Sequence, residues 1–420
     1  MPVHHLELEG HSRQWVLVIG AGFFATTLAQ SASLDLPLRN LLVNQFQAAI
    51  VNPGVETTGT LHTVSLFFGI AALPWYFKII FGVFSDSFPL FCTLRRHYVL
   101  LSATAAAGLW LLAGYIQQSY LSLLITITAM ETMLVVGSTV MGALLVEVGQ
   151  GLDVAGRLVS ARIFVEGGCA VVAGPLAGVL AGLPFETTAI VGSVVAFAVV
   201  PIAFVWLREP ASAKYEVSAV ADAIHELRNL ISSPTIWIAA AFLFVASMPQ
   251  TFPTPLWDFQ KSNMNLSDTT IGYLRGAGGA GSVLAAVIYG WVYRRLTLRS
   301  LIACGIIGSS FGSLGYLLYY SLPAAIAIET ANGFLTTLWV LAMMEMAVWV
   351  APSTAAAAAF ALLMGATNAG SALGDYAFSQ LVDWRVLSFS GIAVLSAGGT
   401  ALMIVSLLWL PNALFGPPER

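Results

Sequence analysis

The chain has 420 residues, of which 58% are hydrophobic and only 9% charged, and its formal net charge is −4. A soluble domain carries roughly 25% charged residues, so the composition excludes a fold that covers itself for water. The mean hydropathy of +0.84 agrees. The net charge points to no particular partner, and no nucleic-acid partner is expected. At about 20 residues per crossing plus short connections, a chain of this length holds about twelve membrane helices.

In chain order, a polar stretch of 13 residues (MPVHHLELEGHSR) leads directly into a long apolar run. That pattern reads as a tail before a first span rather than as a short cleaved leader. Uncharged stretches, broken by Pro and polar clusters such as Ser321-Leu322-Pro323 and Ala351-Pro352-Ser353, predict the crossings. They fall at 15–44, 60–82, 97–116, 120–147, 162–182, 186–207, 234–257, 269–292, 299–319, 323–349, 353–380 and 386–410. The longest hydrophilic connection, 208–233, lies mid-chain and is expected to carry a short surface helix. The predicted organisation is therefore all-α: a six-helix bundle over 1–207, a cytoplasmic linker over 208–233, and a second six-helix bundle over 234–420. With the N-terminus placed in the cytoplasm, thirteen of the 17 Lys and Arg residues fall at cytoplasmic ends and only Lys261 and Arg385 outside. That bias predicts a multi-pass protein of the cell (inner) membrane with both termini cytoplasmic.

The halves resemble each other. Glu131-Thr132 is followed sixteen residues later by Glu147, and Glu329-Thr330 by Glu345 at the same spacing. Ser138-Thr139 matches Thr336-Thr337 between them, and Gly82 before Thr93-Leu94-Arg95 matches Gly290 before Thr297-Leu298-Arg299. Six-plus-six repeats of this kind resemble the major facilitator superfamily.

The segment PWYFKIIFGVFSDSFPLFCTLRRHY (74–98) closes the second predicted span. Gly82 and Asp86 have the spacing of the Gly-x-x-x-Asp loop of that superfamily. Gly82 is expected to let two helices approach closely. Asp86 is expected to cap a helix or pair with an arginine as a conformational latch, and Arg95 and Arg96 to anchor the loop at an anionic lipid surface. The same stretch resembles the signature of the folate–biopterin transporter family through Pro74, Trp75, Lys78, Gly82, Ser85, Asp86, Pro89, Arg95, Arg96 and Tyr98. FALLMGATNAG (360–370) is similar to that family's second patch. The chain departs from the pattern at Ile79, which replaces a proline, and at Cys92-Thr93, which replaces a glycine–tyrosine pair. It also lacks the acid expected near Ala351-Pro352-Ser353. The resemblance implies a transporter for folates, pterins or other cofactor-like solutes.

Charged groups inside a membrane cost about 2.5–3.5 kcal/mol on insertion scales, so those retained are candidates for function. Glu131 lies near the middle of the fourth span and is a candidate for proton exchange, with Glu329 as its repeat partner. Asp35 and Arg39 are one turn apart and can pair, and Pro37 between them is expected to bend the helix. Lys78 can meet an anionic solute or snorkel, Arg275 can recognise a carboxylate, and Asp375 is a lesser candidate. Glu166 with Arg162 reads as a structural pair, and Gly174-Pro175 as close packing with a bend. Secondary transport by alternating access, coupled to protons, follows as the expected function. Arg39 or Arg275 would meet the carboxylate tail of a solute whose ring stacks on aromatics. The same frame admits a nucleoside-like cofactor or drug-like solute, and a channel or sensory membrane protein is the reading from another class. No cofactor and no resident metal is expected: the three cysteines lie far apart and the six histidines sit in tails, loops or helix ends. An enzyme would need clustered polar residues within the spans. A monomer, in contact with lipid, its solute and protons, is the expected working unit.

Overall fold

The computed structural model describes residues 22, 35–44, 61–93, 95–117, 119–151, 155–207, 225, 227–292, 295–351 and 356–415, and they form helices without a strand. Helix α1 covers 35–44. Helices α2 (Leu61–Ala71), α3 (Leu73–Tyr76) and α4 (Lys78–Ser87) follow almost without interruption. The break before α3 coincides with Pro74 in its first turn, because proline has no N–H to continue the ladder. Then come α5 (Arg96–Tyr115), α6 (Tyr120–Gly151), α7 (Ala155–Leu180), α8 (Phe185–Phe197) and α9 (Val199–Trp206). A short helix α10 over 227–231 lies in the mid-chain connection, where a surface helix is expected. After it come α11 (Pro234–Ser247), α12 (Pro253–Asp258), α13 (Asp268–Val292), α14 (Leu298–Gly315), α15 (Leu322–Val350), α16 (Ala356–Asp383) and α17 (Phe389–Trp409).

Among the described residues, eight helical segments are long and apolar enough to cross a bilayer. The α2–α4 segment, α7 and α16 occupy three more of the predicted crossings. The first predicted crossing, 15–44, lies mostly outside the described residues; Pro37, where a bend is expected, falls in the first turn of the described helix α1. The seventh crossing extends beyond its predicted end at 257. Its rod runs on through a 3₁₀ turn (Met248–Gln250), α12 and a π turn (Phe259–Asn263). Pro249, Pro253 and Pro255 remove ladder donors there, which accounts for the irregular path. Large apolar side chains cover the outside, among them Phe311 at 68% exposure and Leu121 at 63%. Such a surface is matched to hydrocarbon rather than water.

Two apolar cores keep to opposite sides of the mid-chain connection. One joins Leu38, Phe67, Trp110, Ile127 and Phe185; the other joins Leu243, Ile306, Trp339, Leu363 and Leu407. Each side repeats one device. The Arg96 guanidinium, at the start of α5, donates to Phe204 O near the end of α9 (3.2 Å) and lies over the Phe204 ring. Arg299, at the start of α14, donates to Leu410 O just past α17 (3.2 Å) and lies over Phe415.

Between the two sides, α7 packs on α13 backbone to backbone. A Cβ on Gly178 would fall 2.6 Å from Asp268 O, and one on Gly174 would fall 2.6 Å from Gly272 O. The close packing expected at Gly174-Pro175 is thus part of this contact. Without a hydrophobic drive between helices in lipid, association depends on such small-residue faces.

The turn before α5 carries strain. Phe91 (φ 48°) and Cys92 (φ 62°) are left-handed, and Leu90 and Thr93 exchange two backbone hydrogen bonds of 2.9 Å across them. Two left-handed residues inside such a loop make a turn that favours glycine. Cys92, exposed, replaces the glycine of the resembling signature at one of these positions. Cys92→Gly is expected to stabilise the protein by about 1 kcal/mol, read as a higher unfolding temperature in a thermal-shift assay; a lower one would mean that the thiol's contacts outweigh the strain.

Candidate functional site

The predicted Asp35–Arg39 pair forms: Arg39 Nε donates to Asp35 Oδ1. Arg275 of α13, from the other side of the molecule, donates to Asp35 Oδ2. Arg39 is 3% exposed and also donates to Thr254 Oγ1 of α12. Thr254 in turn donates its hydroxyl to Asp375 Oδ2 (2.6 Å) and its backbone N–H to Asp375 Oδ1 (2.9 Å). The Arg39 guanidinium also lies over the Phe68 ring at 4.6 Å. Five residues of α1, α12, α13 and α16 thus form one chain of polar contacts. Two guanidinium groups converge on one carboxylate, which offsets the cost of burying charge. Both arginines are therefore engaged within the protein here, rather than open to a solute carboxylate.

The same end of the bundle has a second polar tie, which sequence reasoning missed. Asp383, at the end of α16, caps the start of α2. It accepts from Leu61 N (3.3 Å) and His62 N (2.8 Å), and His62 Nδ1 lies 2.8 Å from its Oδ2. These bonds satisfy donors that a helix start leaves free. Around them Leu36, Leu61 and Ala177 pack with Trp257 and Ile271. This end is closed by polar and apolar contacts together.

Lys78 and Glu131 come together through Trp75, a neighbour the sequence reading did not assign to a site. Trp75 Nε1 donates to Glu131 Oε2 (2.7 Å). The Lys78 ammonium lies 5.4 Å from the Trp75 ring centroid and donates to Ser138 Oγ (3.3 Å). Glu131 and Ser138 are 5% and 6% exposed. The α3–α4 break sets Trp75 and Lys78 on one side, and the unbroken α6 sets Glu131 and Ser138 two turns apart on the other. A cation, a carboxylate and an indole face thus share one small patch.

Glu329 of α15 lies apart from this patch. Its Oε1 accepts from Tyr319 Oη (2.8 Å) and from Gln260 Nε2 (3.3 Å), and Gln260 also donates to Tyr319 Oη (2.6 Å). Gln260 enters from the π turn, a common device at functional sites. Aromatic rings pack behind it, with Phe259 stacked on Phe389 at 4.3 Å. Gln260, Tyr319 and Thr254 carry no charge and match no motif. The signal that could have found Thr254 and Gln260 is the proline-rich seventh crossing; nothing in the sequence marks Tyr319, at the end of the ninth.

The loop motif divides. Gly82 makes only ordinary contact, since a Cβ there would meet Thr139 Cγ2 at 3.6 Å. The close approach expected of it occurs instead at Gly365, in the second patch, where a Cβ would overlap the Tyr76 carbonyl oxygen. The side chains of Asp86 and Arg162 lie outside the described residues. Arg95 is buried at 7% exposure, so it does not anchor the loop at a lipid surface as expected. Arg96 ties α5 to α9 instead. No group of three or more His, Cys, Asp or Glu residues able to hold a metal occurs among the described residues.

Comparison with known proteins agrees with this architecture. Residues 59–405 match the model of the BT1 family. A folate-biopterin transporter of Synechocystis sp. is 24% identical over 341 residues, 75% of this chain and 67% of that protein. In three dimensions, a variant of the nucleoside transporter NupG superposes with a TM-score of 0.71 at 11% identity, covering 94% of this chain and 99% of that one. A D-xylose-proton symporter gives 0.68 at 13% identity, covering 97% and 98%. At such identities the structures speak to the fold, the major facilitator arrangement. The family match, spanning most of the helices just described, carries the assignment: this chain belongs to the BT1 family and is a multi-pass membrane protein, a secondary transporter of small solutes.

Proposed function

We propose that the chain moves a pterin- or folate-like solute across the inner membrane by alternating access, driven by protons. The observation that carries the solute class is the patch of Trp75, Lys78, Glu131 and Ser138, together with the folate-biopterin transporter relative. An indole offers a stacking face for a flat heterocycle. A carboxylate accepts the paired N–H donors of an aminopyrimidinone edge, and the Lys78 ammonium meets an anionic tail. The role expected of Arg39 and Arg275 toward that tail thus passes to Lys78. The Asp35 network, by contrast, serves as a gate between the bundles over 1–207 and 234–420, with 208–233 as the connection. The separate apolar cores support that division.

The gate end faces outward in this reading, both termini are cytoplasmic, and the transporter works as a monomer. Gly82, Asp86, Arg95 and Arg96 belong to the opposite end, where Ile79 packs with Leu230, Ile236 and Ala359 across the connection. Asp86 acts there as the latch. Uptake of labelled folate and biopterin into proteoliposomes, with an inward proton gradient and without one, tests the reading. Saturable uptake that the gradient raises is expected. Absence of uptake under either condition removes this solute class.

A further inference from the structure

Two arginines at the turn into α14 have no carboxylate partner among the described residues. The exposed Arg295 guanidinium lies over the Trp291 ring at 4.1 Å. Arg299 lies over Phe415 at 4.5 Å and donates to Leu410 O, while its Nε is buried without a hydrogen-bond partner. A guanidinium has five N–H donors, so both groups keep donors unused. Their place makes this costly. Arg299 is the second residue of α14, where the helix dipole disfavours a cation, and a buried donor left unmade carries a desolvation penalty. Arg39 and Arg275 meet the same cost by sharing the carboxylate of Asp35. At the α14 turn the chain supplies no anion of its own.

The surroundings select the anion. Trp291 at the end of α13, Leu296 in the turn and Trp409 at the end of α17 are all exposed. Tryptophans so placed mark the level at which headgroups meet acyl chains. A small anion in water gains nothing from these apolar faces, whereas a phospholipid joins a phosphate to chains that can use them. The planar fork of a guanidinium matches phosphate oxygens, and the cytoplasmic leaflet is rich in anionic headgroups. We propose that Arg295 and Arg299 bind the phosphate of an anionic phospholipid of the cytoplasmic leaflet, with its chains against Trp291 and Leu296. The lipid then ties the α13–α14 turn to the end of α17, which Arg299 already reaches through Leu410. The lipid anchoring expected of Arg95 and Arg96 passes in this way to the matching turn of the second bundle. The choice of leaflet rests on the orientation proposed above, but not on the solute or on proton coupling.

The test titrates the full chain, in a neutral detergent, with dansylated phosphatidylglycerol, and reads binding as energy transfer from the tryptophans. Unlabelled phosphatidylglycerol is expected to displace the probe, phosphatidylcholine with the same chains to do so far less readily, and inorganic phosphate not at all. Arg295→Gln with Arg299→Gln is expected to weaken binding about thirtyfold, as loss of two cations at an anionic surface does. Arg295→Gln alone is expected to weaken it about fivefold on the same scale. That side chain is exposed and touches only Trp291, so the single variant decides the matter if the double one does not fold. Arg228→Gln, at an exposed arginine of the mid-chain connection, is expected to leave binding within about twofold. Equal displacement by phosphatidylcholine would show that the anionic headgroup is not read. Displacement by inorganic phosphate would make this a site for a free anion. Equal weakening by Arg228→Gln and Arg295→Gln would mean diffuse surface attraction. Each of these overturns the proposal. Binding in detergent does not depend on transport, so such a failure leaves the alternating-access reading standing.

Discussion

Gly272→Leu is expected to abolish transport and to lower stability by about 3 kcal/mol or more, as overpacking of a closely fitted contact does. The atoms that a side chain there would meet are all backbone: a Cβ would lie 2.8 Å from Gly178 Cα and 2.9 Å from Gly178 N, and closer still to Gly174 O. No flexible side chain can move aside, so α7 and α13 must part. Helices in lipid are held by such contact rather than by hydrophobic exclusion, and these two come from opposite halves. Parting them also displaces Arg275, one turn along α13, from Asp35. Gly108→Leu is the control, because nothing lies within 4 Å of a Cβ at Gly108 and leucine is the better helix former. Initial uptake rates and thermal unfolding of both variants decide the matter. If Gly272→Leu transports as well as Gly108→Leu, the α7–α13 contact is not needed for the cycle.

Much of the fold is legible in the sequence because lipid imposes a simple rule: apolar stretches of sufficient length cross. The spans around α5, α6, α8–α9, α13, α14, α15 and α17 follow from that rule alone. The pair of Asp35 and Arg39 follows from one turn of helix, and the grouping of Lys78 with Glu131 draws on residues singled out for their charge. What is not legible is which half a charge will meet. Nothing at Asp383 announces that it caps a helix starting at Leu61, because the contact joins residues 322 apart. Arg275 reads as an open cation until α1 is set against α13. Sterics mislead in the same way. Gly82 stands in the recognised motif but has room around it, while Gly365, in the second patch, is the tight position. Backbone proximity between distant helices leaves no local trace, whereas hydropathy and turn chemistry do.

Lys78→Met is expected to raise the KM for folate about thirtyfold, a loss of about 2 kcal/mol at the lower end for truncating one partner of a desolvated charge pair. The KM for biopterin is expected to stay within about twofold, the scatter of a neutral substitution. The two solutes share the pterin ring, but only folate carries a glutamate tail with carboxylates. Methionine keeps an apolar stem of similar length along Trp75 while removing the ammonium, so the stacking face is retained. Lys78 now donates to Ser138 and lies over the Trp75 ring, contacts from which a solute carboxylate can recruit it at small cost. A lysine that only snorkels to the interface would leave both KM values unchanged. One that only braces Glu131 and Ser138 would weaken both solutes alike and lower thermal stability. Selective loss of folate separates solute recognition from both alternatives, because neither a lipid anchor nor a brace can distinguish two ligands by their tails.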